Sequence, residues 1–144
     1  GRGALRDRRA VEPGVTTVLL DTHVVQWWSA EPDRLSPAAT EALLGADELA
    51  VASITWFELA WLAEHERITV AIPTRSWLEQ LAAGVRTVGT TPAIAAAAVA
   101  LPTSFPGDPA DRLIYATAIE HGWRLVTKDQ RLRDHVHPRP VTIW

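Results

Sequence analysis

Residues 108–129, DPADRLIYATAIEHGWRLVTKD, constrain the fold more than any other stretch of the chain. Asp108 followed by Pro109 is a helix start. The aspartate accepts from free N–H groups, and proline at the first helical position gives up an N–H that had no partner. Gly122 stops the helix as a C-cap. Residues 123–127 then read as a short buried strand, with Asp129 just beyond it. The helix runs antiparallel to the strand that follows. Its start, with Asp111 in the first turn, therefore lies near the strand's end, with Asp129.

The rest of the chain repeats this alternation. Residues 15–20 are a β-branched and aliphatic run bounded by Gly14 and Asp21, the pattern of a strand buried on both faces. A helix is expected over 22–30. Another starts from the Ser36-Pro37 cap and runs to about Gly45. Residues 48–53 read as a strand. Thr55 and Glu58 have the spacing of a capping box opening a helix through about Glu66, with Phe57 and Trp61 assigned to the core. A helix over 75–83 and a strand over 86–89 follow, then an Ala-rich helix from Thr91-Pro92 to near Leu101. A helical turn over 130–134 and an edge strand over 141–144 close the chain. Strands alternating with helices predict an α/β fold with a mainly parallel sheet. One domain is expected over residues 15–144. The Arg- and Gly-rich residues 1–14, without apolar period, read as a flexible tail.

Composition excludes several chemistries. There is no cysteine, hence no disulfide, no thiolate metal site and no cysteine nucleophile. The histidines are scattered without HExxH-type spacing. No apolar run approaches the roughly 18 residues that span a bilayer. No signal-peptide apolar block follows the basic N-terminus, so a cytoplasmic, non-membrane protein is expected. Formal net charge is −3. The C-terminal quarter is nonetheless basic. Arg124, Lys128, Arg131, Arg133 and Arg139, with His121, His135 and His137, face only Asp129 and Asp134.

In an open parallel sheet, functional groups gather beyond the carboxyl ends of the strands. Asp21 ends the first strand, Glu58 sits in the first turn after the second, and Asp129 lies just past the strand that ends at Thr127. Asp111 joins them through its antiparallel helix. Each acid has an ordinary local use. Asp21 and Asp129 can cap the helices they precede, and Glu58 and Asp111 can close capping boxes. Together they are harder to explain so, because clustered carboxylates repel and raise one another's pKa values. A hard divalent ion with oxygen ligands relieves that repulsion, and magnesium keeps waters that phosphate oxygens can replace.

With Asp21, Glu58, Asp111 and Asp129 in this order, the chain resembles the PIN-domain family, and more narrowly its VapC-type toxin ribonucleases. The matching stretches are VLLDTHVVQWW, ASITWFELA, DPADRLIYATA and LVTKD, spread over residues 18–129. The resemblance implies a three-layer α/β/α domain with a central sheet of four to five strands. It implies a Mg2+- or Mn2+-dependent endoribonuclease that leaves a 5′-phosphate and a 3′-hydroxyl. It also implies a homodimer and a cognate VapB-like antitoxin. Asp21, Glu58, Asp111 and Asp129 match the family's four acids. Asp21, Asp111 and Asp129 would hold metal, and Glu58 would hold a second ion or orient the attacking water. Thr127 falls where such proteins often place a hydroxyl beside the metal. Asp108 competes with Asp111 for the third position, but reads mainly as a cap.

The bound ion would activate water, orient the scissile phosphate and neutralise charge in an in-line displacement. Arg112, Arg124, Lys128, Arg131 and Arg133 are candidate phosphate contacts that would set affinity and its salt dependence. The substrate expected is a structured RNA, transfer or ribosomal, read through an exposed loop. A PIN-fold nuclease on DNA or flap substrates and a non-catalytic RNA-binding module are the alternatives. Trp27, Trp28 and Trp56 are candidates for burial by the antitoxin, or for ordinary core packing.

Overall fold

The computed structural model of the chain describes residues 14–135 and 140–144. The expected tail, apart from Gly14, lies outside the described residues, as do His137 and Arg139. The elements are β1 (Thr17–Leu20), α1 (Thr22–Ala30), a 3-10 turn (Pro32–Arg34), α2 (Pro37–Gly45), β2 (Glu48–Ala52), α3 (Ile54–Glu64), α4 (Thr74–Ala82) and β3 (Arg86–Val88). They continue with α5 (Pro92–Ala100), α6 (Pro109–His121), β4 (Arg124–Val126), α7 (Gln130–Arg133) and β5 (Thr142–Ile143).

The strands form one all-parallel sheet in the order β3-β2-β1-β4-β5. Val18 pairs with Leu49 on one side of β1, and Leu19 pairs with Leu125 on the other. The chain builds outward from β1 through β2 to β3, then crosses back and builds the other way through β4 to β5. The reversal lies between β1 and β4. Loops leaving these two strands part in opposite directions, which opens a crevice beyond their carboxyl ends.

Side-chain alternation along β1 and β2 divides the interior in two. Leu19, Ala50, Ala52 and Leu125 point to one face and pack with Ile94 and Ala98 of α5 and Ile114, Tyr115 and Ala118 of α6. Val18, Leu20, Val51 and Val126 point to the other, against Val24 and Val25 of α1, Ala39 and Leu43 of α2, Leu59 of α3 and Leu81 of α4. The result is three layers, α/β/α. Leu19, Leu20, Val51 and Leu125 are wholly excluded from solvent. Each such side chain contributes about 1.5–3 kcal/mol of transfer free energy.

Helix ends follow local chemistry at most positions. Ser36, Thr91 and Asp108 cap α2, α5 and α6 through their side-chain oxygens, each with proline at the start. Gly122 ends α6 in the left-handed region at φ 70°, where a side chain would be strained.

The helix around Glu58 departs from the sequence reading in two ways. First, α3 begins at Ile54 after Ser53, so Thr55 lies inside it and the expected Thr55–Glu58 capping box does not form. Thr55 is buried instead, its hydroxyl 3.2 Å from that of Thr22. Second, Phe57 and Trp61 are not core. They are 65% and 41% exposed. The helix is apolar almost all round, so periodicity could not say which side faces out. Conversely, Trp27 is buried, Trp28 and Trp56 are partly buried in the core, and the Trp56 indole N–H donates to Thr87 Oγ1 at 3.0 Å.

Candidate active site

Asp21 is the first residue after β1. Its backbone N–H donates to the Val126 carbonyl of β4 at 3.0 Å, so the turn stays stitched to the neighbouring strand. One carboxylate oxygen caps α1, accepting from the Thr22 N–H at 2.8 Å. The other accepts from the Thr127 hydroxyl at 2.6 Å. Thr127 is itself fully buried, and its Oγ1 accepts from the Asp129 N–H at 3.0 Å. The two strand ends are thus tied together across the crevice by one hydroxyl. Glu58, in the second turn of α3, accepts from the Thr22 hydroxyl.

Asp129 follows β4 and caps α7, accepting from the Arg131 N–H at 2.9 Å. The Arg131 guanidinium returns over it, with Nε to Oδ1 at 3.1 Å and Nη2 to Oδ2 at 2.6 Å. The same Nη2 donates to Asp111 Oδ2 at 3.2 Å. Asp111 lies in the first turn of α6 and is buried. Asp108 is exposed, and its Oδ1 accepts from the Ala110 N–H at 2.9 Å as the α6 cap.

These groups share a cavity of about 590 Å³. Its lining combines the acids Asp21, Glu58, Asp108, Asp111 and Asp129 with the apolar Trp27, Phe57, Trp61 and Leu62 and with the basic His23, Lys128 and Arg131. Capping and pocket-lining prove compatible, since Asp21 and Asp129 do both. Trp61 and Leu62 lie three and four residues after Glu58, on its side of the helix. That spacing was the available signal for the apolar part of the lining.

The electrostatics are those of crowded acid. Burial holds Asp21 above the ordinary aspartate value despite its hydrogen bonds from Thr127 and Thr22. Burial also raises Glu58, with Asp21 and Asp108 adding repulsion. Asp111 is raised to about 7, by burial first and then by Asp108 and Asp21. Asp129 alone is lowered, because Arg131 donates to it.

Among the described residues, no three His, Asp or Glu side chains converge into a ready-made ligand set. The space between Asp111 and Asp129 is bridged by Arg131. An all-oxygen donor set whose repulsion is relieved only by a cation nevertheless fits a hard divalent ion.

A sequence profile of the PIN domain matches residues 18–137. The chain belongs to the PIN-domain family. It is 77% identical over 130 residues to Ribonuclease VapC22 of Mycobacterium tuberculosis (strain ATCC 25618 / H37Rv), covering 90% of this chain and all of that one. Among solved structures it is similar to VapBC2 from Rickettsia felis bound to a promoter DNA fragment, with TM-score 0.65 and 17% identity, covering 88% of this chain and 97% of that one. It is also similar to VapBC-1 from nontypeable Haemophilus influenzae, with TM-score 0.61 and 18% identity, covering 83% and 94%.

Within this PIN domain the expected basic side separates into distinct groups. Lys128 and Arg131 reach the cavity. Arg112 does not face outward. Its guanidinium donates to the carbonyls of Ala98, Leu101, Pro102, Phe105 and Pro106, gathering the loop that leads into Asp108. Arg124 starts β4, at the sheet edge opposite the cavity, and donates to the Val141 and Thr142 carbonyls. Arg133 donates to the Gln130 side chain on α7. Loop carbonyls that need donors are invisible in a charge count, which is why Arg112 and Arg124 read as phosphate contacts.

Proposed function

We propose that this PIN domain is a metal-dependent endoribonuclease and the toxin of a toxin–antitoxin pair, cutting a structured RNA such as a transfer or ribosomal RNA. The carrying observation is the meeting of Asp21, Glu58, Asp111 and Asp129, from separate elements, in one cavity at the reversal of strand order. The relative sharing 77% of its residues is named a ribonuclease, which supports RNA as the substrate. The similar solved structures are toxin–antitoxin assemblies, which supports a VapB-like antitoxin as partner. A homodimer and a cytoplasmic site of action belong to the same reading. No helix among the described residues is long and apolar enough to cross a membrane.

Asp21, Asp111 and Asp129 would hold Mg2+ or Mn2+, which supplies Lewis-acid activation of water and charge neutralisation at the phosphate. Thr127 and the Thr22 N–H fix the orientation of the Asp21 carboxylate. Glu58, anchored by the Thr22 hydroxyl, would hold a second ion or orient the attacking water. Lys128 meets the phosphate backbone. Phe57 offers an exposed ring on which an unpaired base would stack, while Trp61 is already stacked on His65.

The test is incubation of the purified chain with matched RNA and DNA. RNA cleavage should stop with EDTA and return with Mg2+ or Mn2+. Cleavage of DNA alone, or RNA cleavage indifferent to EDTA, overturns the reading.

A further inference from the structure

Arg131 stands out because its guanidinium sits where the fold most needs a cation. Three of its contacts go to Asp129 and Asp111, at 3.1, 2.6 and 3.2 Å, and its backbone N–H adds a fourth at 2.9 Å. Nη2 alone bridges the two carboxylates, one oxygen of each. The arginine comes from the first turn of a four-residue helix whose cap is Asp129 itself. It is therefore tethered beside the acids, yet its side chain is 62% exposed. Its side-chain hydrogen bonds are to these two carboxylates, so the guanidinium is held by charge at the cavity and open to solvent. The opposite acid pair is served differently: neutral hydroxyls of Thr127 and Thr22 hold Asp21 and Glu58.

We propose that Arg131 is a resident counter-cation, a positioning residue that holds Asp111 and Asp129 together until a divalent ion displaces it. This rests on the metal-dependent reading of the site and adds its regulation: ion binding is an exchange of cations rather than entry into a bare acidic site. The contacts set the size of the effect. A guanidinium within about 4 Å shifts a carboxylate's proton affinity by about 10- to 1000-fold, and a competing ion meets the same barrier. The guanidinium and the ion cannot both take the Asp111 and Asp129 oxygens that Nη2 now bridges. Removing the arginine therefore tightens ion binding even though it deletes a group that touches the ligands. A merely structural role for Arg131 predicts the reverse, because scattered ligands bind worse.

The experiment measures Mn2+ binding to the purified full chain by calorimetry, with no RNA present. Arg131→Ala should bind Mn2+ at least about tenfold more tightly than the original chain. Arg131→Lys should fall between them, since a lysine keeps the charge and loses the fork. Arg133→Ala, on the same short helix but bonded to Gln130, should change affinity by less than about threefold. A second reading uses the unmutated protein: the Arg131 Nε–H signal in a 15N spectrum should shift as Mg2+ is titrated. Equal or weaker Mn2+ binding by Arg131→Ala, or an Nε–H signal that ignores Mg2+ while the ion binds, overturns the proposal and leaves the metal reading standing. If neither chain binds Mn2+, the metal reading falls and takes the proposal with it. Equal tightening by Arg133→Ala reduces the effect to general charge and also overturns it.

Discussion

The two halves of the acidic cavity solve the same problem by different means. Asp21 and Glu58 are held by threonine hydroxyls, while Asp111 and Asp129 are held by a guanidinium. A hydroxyl orients a carboxylate oxygen without cancelling its charge, so it can stay when a cation arrives. An arginine orients and neutralises at once, so it competes with that cation. One half is thus prebuilt and the other exchangeable. The burial pattern agrees: Thr127 is wholly buried between strand ends, whereas Arg131 reaches in from solvent.

The largest effect should come from breaking the prebuilt half. Asp21→Asn, which keeps shape and the helix cap, should lower RNA cleavage by about 100-fold or more. Its melting temperature should hold or rise, because a buried charge is gone. Asp111→Asn should do the same on the exchangeable half. Single-turnover cleavage with matched thermal melts measures both, and normal cutting by these variants places the chemistry elsewhere.

Thr127→Val tests whether the hydroxyl matters as an orienting group. Loss of its donor to Asp21 and its acceptor for the Asp129 N–H should cost about 1–3 kcal/mol of stability. Mn2+ affinity should fall by about 10- to 100-fold. Thr127→Ser should restore most of both. A Val variant with unchanged calorimetric Mn2+ affinity sinks the orienting role.

The arginines separate next. Arg112→Ala should lower stability by about 1–3 kcal/mol, measured by denaturant melts, because several loop carbonyls lose their donor. It should leave the salt dependence of RNA binding unchanged. Lys128→Ala should leave stability alone and reduce the slope of log affinity against log salt by about 1. Exchange of these two phenotypes would reverse their assignments.

The smallest effect is a pH dependence of the cation-free fold. Asp111 titrates at about 7 when folded, against an ordinary 3.8. The folded state therefore binds that proton more tightly than the unfolded state does. The stabilisation is complete below about pH 4 and is lost as pH rises towards 7. Asp21 and Glu58, also raised, act in the same direction. Asp129, lowered, acts the other way, only as pH falls below the ordinary range. In EDTA, melting temperature should fall between pH 5 and 7.5, and Asp111→Asn should flatten the curve. A flat curve for the original chain removes Asp111's raised proton affinity from the account.

Much of this was legible in the residues. Caps at Ser36, Thr91, Asp108 and Gly122 are local chemistry, so the helices they bound could be read from a few neighbours. The β-branched and aliphatic run of β1 implies burial on both faces, and hence a parallel sheet between helix layers. The four acids could be grouped because parallel strands end on one edge.

Tertiary structure alone decided the rest. Sequence order does not reveal that β1 lies beside β4, so the Thr127–Asp21 hydrogen bond, across 106 residues, could be suggested only by resemblance. An evenly apolar helix has no readable outer face, which hid Phe57 and Trp61. An arginine's charge does not say whether it will meet a phosphate, a loop carbonyl or a carboxylate. Only the folded chain sends Arg112 to the loop carbonyls, Lys128 to the cavity beside Trp27 and Arg131 onto the acids, because each long side chain goes to whichever partners the packing brings within reach.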